Sequence, residues 1–179
     1  EDTTMSTTAV KTVGAFCERY GPGRLPGAGR SAIGAGYAVA TAALAVAVAF
    51  IVLASVLTLL FAMVFGGPTA LMISLAYVGG LAIPLVVTVA FFCGAVVWRL
   101  LPKSMSYRGP LAGLLATVLT YVGTTLLIIP LLMAITSKLE ASVEFGLIVG
   151  INGFLSTFWL AFPIGAVSGW IHEQAVTEH

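Results

Sequence analysis

The chain has 179 residues, of which 59% are hydrophobic and only 8% charged, with a formal net charge of +1. Soluble domains carry about 25% charged residues, so this composition excludes a surface covered against water and points to lipid as the solvent. It also excludes nucleic acid as a partner, because no basic face exists to neutralise phosphates.

The chain opens "EDTTMSTT"; a start at Met5 and removal of an upstream segment both fit. The first 30 residues lack the short apolar core of a signal peptide. Val10, Val13, Cys17 and Tyr20 recur at helical spacing with Phe16 beside them, while Lys11, Glu18 and Arg19 fall elsewhere on the wheel. Ser6, Thr7 or Thr8 is placed to cap such a helix. Residues 1–30 therefore read as a cytoplasmic segment with a short amphipathic helix lying on the membrane interface; a disordered tail is the alternative.

The stretch "YGPGRLPGAGRSAIGAG" follows. It is glycine-rich, but no Lys stands where a P-loop needs one. The dinucleotide pattern G-x-G-x-x-G also fails, since the glycine after Gly27 and Gly29 comes only at Gly34. The stretch reads as a Gly/Pro hinge, and Arg24 and Arg30 as contacts to lipid phosphates.

Three tracts carry no Lys, Arg, Asp or Glu: Ser31 to Trp98, Gly109 to Ser137, and Phe145 to Ile171. Each reaches the roughly 20 residues that a helix needs to cross a bilayer. The first span is expected at 31–65. It would extend about 50 Å against a hydrocarbon core of about 30 Å, so a tilt or an extension into the headgroups is expected. Gly66-Gly67-Pro68 breaks it. The second span is expected at 69–101 and stops at Pro102. "KSMSYRG" makes a short loop, and Pro110 suits the first turn of a third span at 110–136. "SKLEASVE" reads as the next loop, 145–171 as the fourth span, and 172–179 as a tail. The fold class is all-α: a transmembrane domain over 31–171 whose short connections give an up-down-up-down four-helix bundle.

Orientation follows from the basic residues in the flanks. Lys11, Arg19, Arg24 and Arg30 precede the first span, and Arg99, Lys103 and Arg108 flank the second loop. The first loop has none and the third only Lys138. Both termini are thus expected on the cytoplasmic side, with Arg24, Arg30, Arg99, Lys103 and Arg108 at lipid headgroups. Tyr37, Trp98, Tyr107 and Trp170 fall near the same ends, as interfacial aromatics do. Which membrane is involved does not follow from the sequence.

Small residues one turn apart let helices approach closely in lipid. Gly109/Gly113, Gly146/Gly150 and Gly165/Gly169 are such pairs, and Gly34, Ala38 and Ala42 extend the pattern to the first span. They serve packing within the bundle or assembly with another subunit. Pro84, Pro130 and Pro163 interrupt three spans, with Gly79 and Gly80 near the first. Kinked helices line binding sites in transporters, but proline is also common in ordinary membrane helices.

Thr117, Thr120, Tyr121, Thr124 and Thr125 share one side of the third span by their i+3 and i+4 spacing. Asn152, Ser156 and Trp159 share a face of the fourth. Together they form a candidate polar path between the two helices; interhelical hydrogen bonding and bonding back to the same helix are the plainer account.

No ionisable side chain lies deep in a span, where ion pathways and proton relays place them. His172 and His179 are the only histidines and sit in the expected tail. Cys17 and Cys93 match no metal or redox spacing and read as small apolar residues. Glu140 and Glu144 read as a solvated face. No catalytic set, metal site or cofactor site is expected. The expectation is a non-enzymatic accessory, scaffold or assembly subunit that works through lateral helix packing, with membrane lipids and other membrane subunits as partners. The alternative is a small homo-oligomeric channel or carrier for an uncharged solute or lipid. A membrane enzyme ranks behind both.

Overall fold

A computed structural model of the protein describes residues 31–65, 70–102, 104–105 and 107–177. The N-terminal segment with its expected interfacial helix and hinge, and Arg24, Arg30 and Lys103, lie outside these residues. The described chain forms four helices: α1 (Ser31–Phe65), α2 (Ala70–Leu100), α3 (Arg108–Thr136) and α4 (Leu139–Thr177), with no strand among the described residues. Each is long and apolar enough to cross a membrane.

Helices of this composition satisfy their backbone internally, which a hydrocarbon solvent demands. Several of their hydroxyls do the same. Thr41, Ser55, Thr58 and Thr88 each give the hydroxyl proton to a carbonyl one turn back. Pro84, Pro130 and Pro163 sit inside unbroken helices. Pro102 follows the last turn of α2, where Leu101 N–H still reaches the Val97 carbonyl at 3.0 Å.

The third connection differs from expectation. "SKLEASVE" is not a loop: α3 ends at Ser137, whose φ of 55° is left-handed and whose N–H bonds to the Met133 carbonyl at 2.8 Å. This is a one-residue αL stop. Only Ser137 and Lys138 separate the two helices, and α4 begins at Leu139 rather than Phe145. Leu, Glu and Ala are strong helix formers, Glu140 lies in the first turn where negative charge is favoured, and Ser142 closes that turn through both its N–H and its hydroxyl to the Lys138 carbonyl. At the other end α4 runs on to Thr177, so His172 and Glu173 belong to a helix and not to a tail.

The helices pack as neighbours in chain order. The α3–α4 contact is the most extensive, α1–α2 the next, and α2–α3 and α1–α4 complete the ring. Across the diagonals α1 and α3 barely approach, and α2 and α4 meet through the rings of Trp98 and His172. The core is built from small residues: Ala35, Val39, Ala90, Val97, Ala112 and Ala116 enclose one another with Trp98. The large apolar side chains point outward instead, among them Leu59, Val64, Leu126 and Ile135.

Candidate functional site

The seam between α3 and α4 is made by glycines. A Cβ on Gly109 would lie 2.5 Å from the Gly169 carbonyl oxygen, and one on Gly113 would run into the carbonyl oxygen of Gly165. Further along, Gly150 faces Thr125 and Gly146 faces Ile129. The three G-x-x-x-G pairs are therefore used inside the chain, on one seam. In α1, Ala42 is buried while Gly34 and Ala38 are half-buried; the close approach to α2 falls at Gly36, against Phe91.

Beyond the tight part of this seam the helices bound a chamber of about 220 Å³ that is partly open to the surroundings. Its position follows from the packing: α1 and α3 face each other across the bundle with little direct contact. One wall is polar. α3 contributes Thr117, Thr120, Tyr121, Thr124 and Thr125, and α4 adds Thr157 beside Gly150 and Gly153. The opposite wall is apolar, with Val39, Val46, Phe50 and Ile51 of α1 and Ala82 and Val86 of α2. A Cβ on Gly153 would meet nothing within 4 Å, so this glycine leaves room at the edge of the chamber.

The hydroxyls of the polar wall are mostly committed. Thr117 donates to the Gly113 carbonyl at 2.8 Å, Thr120 to Ala116 at 2.7 Å, Thr125 to Tyr121 at 2.9 Å and Thr157 to Gly153 at 2.7 Å. With its own proton so placed, the Thr157 oxygen accepts from the Tyr121 hydroxyl at 2.6 Å. The Tyr121 ring packs edge-on against Phe154, with centroids 5.1 Å apart. Thr124 is the exception: it is buried and its Oγ1 has no partner.

The expected polar path is divided by the structure. Thr117, Thr120, Tyr121 and Thr124 come together on the chamber. Asn152, Ser156 and Trp159 are exposed on the outer face of α4. There the Asn152 side-chain N–H₂ bonds to the Ile148 carbonyl at 2.8 Å, and the Trp159 indole N–H to the Ser156 carbonyl at 2.9 Å. The reason is packing. The small residues Gly146, Gly150, Gly153, Thr157, Ala161, Gly165 and Gly169 recur every three or four positions and turn inward. Asn152 and Ser156 fall off that stripe. Thr157, which the polarity of the span does not single out, is the hydroxyl-bearing residue that α4 presents to the chamber.

A second polar cluster, not expected from the sequence, closes one end of the bundle and draws on all four helices. The Arg108 guanidinium lies 4.3 Å from the Trp98 ring centroid and donates to the Trp98 carbonyl at 2.6 Å. The His172 ring packs edge-on against Trp98 at 4.6 Å. His172 Nε2 lies 2.9 Å from the Ser31 carbonyl oxygen, which can only accept, so this nitrogen carries the proton. Glu173 accepts the Gly109 N–H at 2.9 Å, supplying a free amide in the first turn of α3 with the partner that Tyr107 does not give it. Arg108, expected at a lipid headgroup, is thus turned inward, while Arg99 is exposed. His172 and Glu173 escape a reading of the sequence because they lie past the apolar stretch; no spacing signal links them to Ser31, Trp98 and Gly109.

Among the described residues no three His, Cys, Asp or Glu side chains gather where a metal ion could sit. No protein-family model, curated protein or solved structure matches the chain.

Proposed function

We propose that this is a multi-pass membrane protein that takes a small uncharged solute, or an uncharged part of a lipid, into the chamber between its helices, acting as a carrier or channel without covalent chemistry. The observation that carries the reading is the chamber itself, almost wholly apolar in its lining, with hydroxyl-bearing residues only on α3 and α4. Pockets for uncharged ligands combine an apolar lining with a few placed polar groups. The test is uptake of a panel of uncharged solutes into proteoliposomes. Val46→Phe, which fills the chamber from α1, should stop the uptake that the unaltered protein supports. Uptake no faster than in protein-free vesicles across the panel would end the reading.

The membrane placement belongs to this proposal. Broad exposure of Leu, Val, Ile and Phe around the outside costs about 25 cal/mol per Å² in water and nothing of the kind in lipid. Contacts between neighbours run in opposite chain order, as with Gly109 near Glu173 and Gly146 near Ile129, which supports the up-down-up-down arrangement. Arg99 and Arg108 at the Trp98 end favour that end, and both termini, on the cytoplasmic side. A membrane-impermeant thiol reagent should then label Ser104→Cys from the cytoplasmic side only, and Lys138→Cys from the other.

A second reading, an accessory or assembly subunit of a larger membrane complex, is favoured by the exposed Asn152, Ser156 and Trp159 face. The glycine seams are occupied within the chain, so lateral association would use this outer face. Gentle detergent extraction should then yield one defined heteromeric complex. Recovery as a lone monomer or a homo-oligomer speaks against it.

A further inference from the structure

We infer that the chamber takes one hydrocarbon chain of a membrane lipid, admitted sideways from the bilayer between α1 and α4 and laid along the bundle axis. The inference rests on the chamber reading above and names its ligand class.

Shape leads to it. Three helices line the chamber over the same length: α1 from Val39 to Ile51, α3 from Thr117 to Ile128 and α4 from Val149 to Ala161. At about 1.5 Å per residue each stretch runs roughly 17 Å, close to the depth of one leaflet of a hydrocarbon core about 30 Å thick. About 150 Å³ gathered in one place holds a benzene ring. The chamber's volume of about 220 Å³, drawn out over that length, makes a slot with the section of a single chain and not of a ring system.

Chemistry agrees. The lining is almost wholly apolar and carries no charged residue. The hydroxyl protons of Thr117, Thr120, Thr125 and Thr157 go to backbone carbonyls, and that of Tyr121 goes to Thr157. The Thr124 Oγ1 is shut away from the chamber. No hydroxyl proton on this wall is left for a polar ligand, which would give up its own partners on entry. A hydrocarbon chain gives up none, and it supplies the contacts that an empty apolar slot lacks.

Access points to the bilayer. At the Trp98 end Ala35, Ala112 and Ala116 are buried and Gly113 meets Gly165, so small residues fill the bundle there. The α1–α4 seam is one of the looser two in the ring. On its outer side lies an open apolar cleft of about 410 Å³, between Thr41 and Ala42 of α1 and Pro163, Ile164, Val167 and Ile171 of α4. Ala42 lines both the cleft and the chamber, and its small side chain stands where the two adjoin. A tail passes in there while the head of the lipid stays at the interface.

The experiment uses the full chain in vesicles containing a phosphatidylcholine with a diazirine near the end of one acyl chain. After illumination, peptide mass spectrometry locates the adducts. They are expected inside, on Val46, Phe50 or Tyr121, as well as on outward residues such as Leu59 and Val64. Val46→Phe should lower the inner adducts about tenfold, as overpacking a fitted site does, and leave the outer ones unchanged. Gly153→Leu, which fills the slot from α4 where a Cβ meets nothing within 4 Å, should do the same. Val48→Phe adds equal bulk on the exposed face of α1 and should alter neither set. A diazirine near the ester should mark the cleft, at Val167 or Ile171; its absence there overturns the entrance between α1 and α4. Adducts on outward residues alone overturn the inference, as do inner adducts that survive both filling variants, and solute uptake then judges the chamber reading separately. If a diazirine-bearing alkane marks the inner residues and the phosphatidylcholine does not, the lipid chain falls as occupant, a free hydrocarbon takes its place and the chamber reading stands.

Discussion

Gly113 and Gly165 meet backbone to backbone across the α3–α4 seam, so that a side chain on Gly113 has no space but that of the Gly165 carbonyl. In lipid the apolar effect does not drive helices together, and close packing of small residues takes its place. Gly113→Val should therefore separate the helices where they pack most tightly. Overpacking of this kind costs about 1–3 kcal/mol, at times more, and a fall in the thermal midpoint in mild detergent would register it. Gly80→Ala is the matched comparison: nothing lies within 4 Å of a Cβ there, and alanine suits a helix better than glycine. A Gly113→Val protein as stable as the Gly80→Ala protein would show that the seam does not hold the bundle.

Glu173 reaches from α4 to the first turn of α3, where it accepts the Gly109 N–H. A helix start lacking a side-chain cap of its own gains about 1 kcal/mol from such a partner. Glu173→Ala should lower stability by about that amount. Glu173→Gln, which keeps an acceptor oxygen, should cost less. Thermal unfolding of the two variants in one detergent checks the order; equal losses would mean that packing of the side chain matters and its oxygen does not.

Arg108 lies over Trp98 and also bonds to that residue's carbonyl. Lysine keeps the charge but neither the planar stacking nor the fork of donors. Arg108→Lys should therefore destabilise the bundle by about 1–2 kcal/mol, within the range of a partly desolvated cation–π contact and a charged hydrogen bond. A double-mutant cycle with Trp98→Phe isolates the pair, and a coupling energy near zero would refute it.

Hydropathy marks where lipid would end, and helices need not end there. Punctuation at Pro102 and before Pro110 made the α2–α3 connection legible, and the charge-free tracts located all four helices. The start of α4 was illegible because Lys138, Glu140 and Glu144 read as loop, although Leu139, Glu140 and Ala141 are good helix formers. The threonine side of α3 was visible in its i+3 and i+4 spacing. Its partner on α4 was not, because polarity draws attention to Asn152, whereas packing in lipid turns the smallest stripe inward and brings Thr157 with it. The cluster around Trp98 joins residues from all four helices, and such pairings exist only once the helices are placed.

That division of α4 into two faces separates the two proposed functions. Asn152 satisfies its side-chain N–H₂ on its own helix and is exposed, as are Ser156 and Trp159. Thr157 and Thr124 face the chamber. Asn152→Leu should therefore leave solute uptake in proteoliposomes within about twofold of the unaltered protein, because it removes no chamber group. The same substitution should loosen any heteromeric complex recovered in mild detergent, since a buried amide at a helix–helix contact contributes about 1 kcal/mol in lipid. Val46→Phe, which fills the chamber, predicts the reverse pair of results. If Asn152→Leu abolishes uptake instead, the solute passes along the outer face of α4, between this protein and a neighbour, and the chamber is a packing void.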